Sequence, residues 1–323
     1  MVCRMARAFA RWAFATTILL SAVAGMYPGA GLVTSAVAQT QALPPQTLPP
    51  RAPAAGADTG LRAIEASRKE QAWTDGFKIA SLAGVPQQLS AECRVKEPAF
   101  VGRAPLRRLR RAIIEKRAPR VMALGSSSTV GIGASSPLAA YPVRLESDLE
   151  GFIKGVDVEM ITRGVGGEIA ADAAERIKLE VADLRPDLVV WQVGTNDAMA
   201  HVDETKFRDT LRTTLRWLAK AKVDVVLIDP QYVEHLATDD HYRRIVKAID
   251  DVAREELVLL VHRFDAMAEI SRQAGAQTLV SRDGMHLNDL GYRCMAEYAA
   301  RAIVAGILTA EQDQGTAGVG QGK

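Results

Sequence analysis

Between residues 120 and 308 short apolar runs alternate with longer stretches whose apolar residues return every three or four positions. The runs are Arg120–Leu124, Val156–Ile161, Leu188–Val193, Val223–Ile228 and Leu257–Val261. The longer stretches are Tyr141–Glu150, Glu168–Asp183, Glu204–Ala221, His241–Glu255 and Asp289–Leu308. A short apolar run bounded by glycine or polar residues suits a strand buried on both faces, and the longer recurrence suits a helix packed along one side. Alternation of the two predicts a parallel sheet, because each helical crossover returns the chain to the same sheet edge. The expected architecture is α/β: three α/β/α layers around a central parallel sheet of about five strands, with ligands outside the carboxyl ends of the strands.

Four segments bearing reactive residues fall at those strand ends or in loops. Gly125-Ser126-Ser127-Ser128-Thr129 follows the first run, Gly164-Val165-Gly166-Gly167 the second and Gly194-Thr195-Asn196-Asp197 the third, while Asp283-Gly284-Met285-His286 precedes the last helical stretch. A serine hydroxyl is a weak nucleophile at neutral pH unless a neighbouring base takes its proton. His286 is the candidate base for Ser127, and Asp283, three positions earlier, can reach one ring nitrogen through a turn and set the tautomer. The backbone N–H groups of Ser127 and Gly167 and the amide of Asn196 then supply donors for a developing oxyanion. Taken singly, a serine-rich turn reads as a phosphate cradle and Asp283 with His286 as a helix cap. No Gly-Lys-Ser/Thr follows the turn, however, and Gly125-x-Ser127-x-Thr129 lacks the second glycine of a nucleophile elbow. The joint set points to acyl transfer.

Over roughly residues 120–305 these segments resemble the blocks of the SGNH hydrolase superfamily, the GDSL-type esterases and lipases. Gly125, Thr129 and Gly131 keep the register of its first block, so Ser127 falls on the nucleophile, while Ser126 and Ser128 replace the usual Asp and apolar residue. That Asp is not the family's proton acceptor, so its replacement bears on turn rigidity and substrate preference. Thr162 stands where the second block commonly has Asn, and the block's oxyanion glycine aligns with Gly167. Gly-x-Asn-Asp is matched unchanged at 194–197, and Asp-x-x-His at 283–286. The resemblance implies a flavodoxin-like fold, catalytic Ser127, Asp283 and His286, an oxyanion hole of Ser127, Gly167 and Asn196, and no cofactor.

It further implies a serine esterase working through an acyl-enzyme. Short O-acyl groups, acetyl above all, on polysaccharide or small esters are the favoured substrate. An acyltransferase to a glycan hydroxyl, a lysophospholipase or thioesterase, and a non-catalytic glycan-binding module are the alternatives. Gln231 and Tyr232 follow the fourth run and are expected on the pocket side or in a structural role, and Met199 beyond Asn196 is a further pocket candidate. His201, His235, His241 and His262 show no metal-site spacing, so no metal is expected.

The N-terminus reads as an export signal. Arg4, Arg7 and Arg11 precede an apolar run from Trp12 to Ala38 that closes on Ala36-Val37-Ala38, which predicts cleavage after Ala38, a periplasmic or secreted protein, and no remaining membrane span. An uncleaved anchor is the alternative. Cleavage takes Lys+Arg from 40 to 37 against 38 acids, a net charge near −1 that offers no attraction to nucleic acid. Residues 39–60, with Pro44, Pro45, Pro49, Pro50 and Pro53, are an expected linker. Residues 61–119 read as a helical extension in which Leu106, Leu109, Ile113 and Ile114 alternate with arginines: an amphipathic helix with a wet face, or a polyanion patch. Cys93 and Cys294 would staple this extension to the last helix if bridged, or act as two buried thiols. The tail, 309–323, rich in Gly and Gln, is expected to be disordered.

Overall fold

The computed structural model describes residues 89–96, 100–101, 104–275 and 278–319. The expected signal segment, the linker and residues 61–88 of the extension lie outside the described residues. Strands are β1 (Phe100–Val101), β2 (Arg120–Gly125), β3 (Glu159–Gly164), β4 (Leu188–Gln192), β5 (Asp224–Ile228) and β6 (Leu259–Val261). Helices are α1 (Arg107–Ile114), α2 (Ser127–Val130), α3 (Tyr141–Phe152), α4 (Ala170–Leu184), α5 (Thr195–Met199), α6 (Glu204–Lys220), α7 (Glu234–Ala237), α8 (Asp240–Glu255), α9 (Arg263–Ala274) and α10 (Asp289–Val319). The sheet order is β1-β6-β5-β4-β2-β3, with β2 to β6 parallel and β1 antiparallel to β6.

Successive strand residues face opposite sides of a sheet, and here both sides are buried. Val121, Ala123, Leu188, Val190, Val226, Ile228, Leu259 and Val261 pack on one side with residues of α1, α3, α9 and α10. Met122, Leu124, Val189, Trp191, Val225, Leu227 and Leu260 pack on the other with α4, α6 and α8. Each fully buried aliphatic or aromatic side chain contributes roughly 1.5–3 kcal/mol of transfer free energy, so the middles of the central strands are apolar on both faces, and polar residues such as Gln192 and Asp224 stand at their ends. This is the expected α/β sandwich of three layers.

Several expectations need correction. The five parallel strands are as expected, and a short antiparallel strand, β1, joins them from the extension, too short to leave a periodic signal. The second strand runs Glu159–Gly164, not Val156–Ile161. It lies at the sheet edge, where only Ile161 is buried, so its sequence is mostly polar; Val156 and Val158 are buried on the approach to it. The extension is not wholly helical, because a 3₁₀ turn (Ala91–Cys93) and β1 precede α1. Leu106, Leu109 and Ile113 enter the core, while Arg108 and Arg117 pair with buried Asp187. Helix α10 takes in residues 309–319 of the expected disordered tail, where Ala310-Glu311-Gln312 are good helix formers and no proline intervenes.

Cys93 and Cys294 form a disulfide with Cα atoms 5.2 Å apart, joining the 3₁₀ turn to α10 across a separation of 201 residues. Tyr298 from the next turn of α10 donates to the Cys93 carbonyl at 2.7 Å. No helix among the described residues is long and apolar enough to cross a membrane.

Candidate active site

The nucleophile turn sits where β2 ends, between β3 and β4 in the sheet. The Ser126 N–H and hydroxyl both donate to Gln192 Oε1, at 3.1 and 3.2 Å, tying the turn to the end of β4. Ser127 is the first residue of α2, so its N–H has no carbonyl one turn earlier to bond within that helix. Residues three apart share a helix face, which puts Ser127 with exposed Val130 on the open side while Ser128 and Thr129 are buried. Ser128 Oγ accepts from Arg263 Nη1 at 3.4 Å, and Thr129 Oγ1 lies 3.4 Å from Tyr141 Oη. The two serines that depart from the usual first block thus both point inward.

His286 comes from the loop before α10, 159 residues from Ser127, yet its Nε2 lies 3.0 Å from Ser127 Oγ. Its Nδ1 lies 2.7 Å from Asp283 Oδ2. Partial desolvation works to raise the Asp283 pKa, but the Met285 N–H, the His286 ring, the Ser281 hydroxyl and the His286 N–H outweigh it and hold the carboxyl well below its ordinary value. An ionised carboxylate can only accept, so the imidazole proton belongs on Nδ1 and the Nε2 lone pair faces the serine.

Loops from two regions hold this distance. Tyr292 of α10 donates to the Ile132 carbonyl at 2.6 Å, and the Ser135 N–H and hydroxyl donate to Asp289 at 2.8 and 2.5 Å. Gly133 lies between them with φ +93°; a Cβ there would stand 2.5 Å from the Leu287 carbonyl oxygen and 3.0 Å from His286 Cβ. The absence of a side chain therefore lets the nucleophile loop and the histidine loop touch.

Hydrogen bonds tie together the three segments that carry the candidate oxyanion donors. The Val165 N–H donates to the Gly125 carbonyl at 2.9 Å, holding the loop after β3 beside the nucleophile turn. Gly167 follows at φ +79°, with open space where a Cβ would be. Asn196 Nδ2 donates to the Glu168 carbonyl at 2.7 Å, next to Gly167; a primary amide has a second N–H to offer. Asp197 accepts from the Ala170 N–H with both oxygens, at 2.9 and 3.1 Å, capping α4. A narrow crevice between these segments is lined by Ser126, Glu168, Gln192 and Asn196.

The pocket candidates fall differently. Gln231 is buried; its Oε1 accepts from Thr195 at 3.1 Å and its carbonyl from Tyr242 at 2.7 Å, so it anchors α5 and does not line an open pocket, because both polar ends are used internally. Tyr232 packs edge-on against Phe264 with ring centroids 5.4 Å apart. Met199 is exposed at the end of α5. Gly133, Ser135, Asp289 and Arg263 carried no motif in the sequence, since each acts through a contact distant along the chain. No cluster of three or more His, Cys, Asp or Glu side chains among the described residues is placed to hold a metal.

Two outcomes follow from this geometry. Gly133→Ala is expected to lower kcat about tenfold to a hundredfold by displacing His286, read against an unchanged near-ultraviolet dichroism spectrum. For Asp197, burial outweighs the Ala170 N–H and pushes the pKa from 3.8 to about 6. Between those values the folded state binds more protons than the unfolded one, so this group's contribution to stability falls as pH rises through the window and stays at its minimum above it. Denaturant unfolding from pH 4 to 7 should show a pH-dependent loss larger in the wild type than in Asp197→Asn by up to about 3 kcal/mol.

Comparison with known proteins supplies a family. The model of the non-GDSL lipase-like family matches residues 92–309, well over half of the chain. No curated protein matches it. Among solved structures, a two-domain esterase active on acetylated mannans is 19% identical with a TM-score of 0.54, over 65% of this chain and 56% of that one. The lipase/acylhydrolase from Enterococcus faecalis is 23% identical with a TM-score of 0.50, over 58% of this chain and 95% of that one. TesA is 18% identical with a TM-score of 0.50, over 57% and 97%. Identities this low speak for the fold, and the family match speaks for descent: this chain belongs to the non-GDSL lipase-like family of the SGNH hydrolase superfamily.

Proposed function

We propose that the protein is an exported serine esterase that hydrolyses carboxylic esters through an acyl-enzyme. The observation that carries this reading is the 3.0 Å approach of His286 Nε2 to Ser127 Oγ, with Asp283 2.7 Å behind the ring. Ser127 Oγ attacks the ester carbonyl as its proton passes to Nε2. The oxygen becomes an oxyanion facing the Ser127 and Gly167 N–H groups and Asn196 Nδ2. Collapse expels the alcohol, which takes the proton from the imidazolium. Water, deprotonated by His286, then attacks the acyl-enzyme and releases the acid.

The favoured substrates are short O-acyl groups, acetyl among them, on polysaccharide or small esters. Support comes from the fold shared with an esterase active on acetylated mannans and from the open surface beside Ser127, where exposed Val130 offers an apolar neighbour to the acyl group. Export is supported by the three N-terminal arginines, the apolar run ending in Ala36-Val37-Ala38 and the disulfide, which persists in oxidising compartments.

With p-nitrophenyl acetate, Ser127→Ala is expected to abolish turnover above background, and Asn196→Ala to cost on the order of a hundredfold in kcat. A wild-type rate no higher than that of Ser127→Ala would falsify the esterase reading and favour a glycan-binding module; acyl transfer to an added glycan in preference to water would favour the transferase. For export, the intact mass of protein recovered outside the cytoplasm should correspond to a chain starting at Gln39, and a chain still starting at Met1 would refute cleavage.

A further inference from the structure

Arg263 is a cation in the core with no obvious reason to be there. It opens α9 and is 1% exposed, among the largest fully buried side chains of the described residues. Its Nε donates to the Asp229 carbonyl at 2.9 Å, and its Nη1 approaches Ser128 Oγ at 3.4 Å and Met295 Sδ at 3.6 Å, while Nη2 has no partner. No carboxylate among the described residues lies within ion-pair distance of it. The nearby Asp229 carboxylate instead accepts from the Phe264 N–H at 2.8 Å, with His262 3.9 Å away. A buried charge without a counter-ion is costly, and an unbranched apolar side chain of similar length would fill the same volume at lower cost.

The Asp229 carboxylate is the strongest electrostatic partner of this guanidinium, and around it stand three buried phenols, Tyr141, Tyr242 and Tyr292. Each is tied to a segment of the active site. Tyr141 meets Thr129 in the nucleophile helix, Tyr292 donates to the Ile132 carbonyl, and Tyr242 donates to the Gln231 carbonyl, whose side chain holds Thr195 beside Asn196. Arg263 itself contacts Ser128, the residue next to the nucleophile. One cation thus contacts the nucleophile turn directly, while the phenols around it bond the nucleophile helix, the loop that follows it and the residue that holds Thr195.

We propose that Arg263 is a positioning residue for the acyl-transfer reaction: its bond to Ser128 holds the nucleophile turn, and its fixed charge behind that turn favours the negative transition state over the neutral ground state. The proposal rests on the esterase reading. Charge that is already oriented and shielded from water stabilises a developing anion without reorganisation, and its effect falls on kcat because the neutral ester gains little from it. Ser128, where the family's first block has an apolar residue, is on this view the contact through which the cation reaches the turn.

The test measures kcat and KM on p-nitrophenyl acetate for the wild type, Arg263→Met, Arg263→Lys and Ser128→Ala, each normalised to sites titrated with a fluorophosphonate, with Ser127→Ala, which has no nucleophile to titrate, normalised to protein concentration. Arg263→Met should lose about tenfold to a hundredfold in kcat with KM within about twofold, Arg263→Lys should recover most of the loss, and Ser128→Ala should lose severalfold. Unchanged kcat per titrated site in Arg263→Met, or equal losses in the Met and Lys variants, would reject the electrostatic role. If Arg263→Met does not fold, Ser128→Ala decides: it keeps the cation and breaks only the contact, and an unaltered kcat there rejects the proposal. A wild type no faster than Ser127→Ala removes the esterase reading and this proposal together, whereas an active wild type with an indifferent Arg263 removes this proposal alone.

Discussion

Burial of both faces of the central strands is the constraint on which the rest of the molecule depends. Val121 to Leu124, Leu188 to Trp191 and Val225 to Ile228 are each almost wholly removed from water, alternate residues entering opposite cores. Helices must therefore cover both sides, every crossover must return to the same edge, and the carboxyl ends of β2, β3 and β4 must open together. The serine and the asparagine lie in the first turns of short helices just after β2 and β4, and the glycine loop follows β3. Their chemistry is local, but their meeting is a consequence of the sheet.

The histidine arrives by a different route. Its loop precedes α10, which packs beside α3 and is joined to the extension by Cys93–Cys294. The contact with Ser127 is set by side-chain-to-backbone bonds, Tyr292 to Ile132 and Ser135 to Asp289, and by the bare backbone of Gly133. The first block departs from the usual pattern in the same region. Ser126 spans to Gln192 and Ser128 to Arg263, so the turn is braced from beneath by hydroxyls where the common pattern has a carboxylate and an apolar side chain. A turn braced in this way keeps the nucleophile at the start of a helix.

The buried polar groups under the site are the least economical part of the fold. Asp197 and Asp229 are both nearly inaccessible, and burial is the main reason their pKa values rise to about 6 and about 7. Asp197 caps α4 and so couples the Gly167 loop to the Asn196 helix. Asp229 and Arg263 lie at the ends of β5 and β6, under the same sheet edge. Buried polar groups stand at both ends of these strands, Asp187 and Asp224 at the amino ends and Asp197, Asp229 and Arg263 at the carboxyl ends.

Much of this was legible in the residues alone. Apolar runs alternating with helical periods carry the parallel sheet, because period and length report directly on which faces are buried, and the residues of Gly-Thr-Asn-Asp and Asp-Gly-Met-His carry their roles in short local patterns. Edge strands escape that reading: β3 is covered on one side only and β1 is two residues long. So do Gln231, turned inward to Thr195, and Gly133, Ser135, Asp289 and Arg263, whose partners lie far along the chain. The sequence by itself determined which elements form and which atoms could react, since propensity and periodicity are local. Tertiary structure alone decided that Ser127 and His286 stand 3.0 Å apart and what braces them, because a distance between segments so far separated depends on packing that no local pattern encodes.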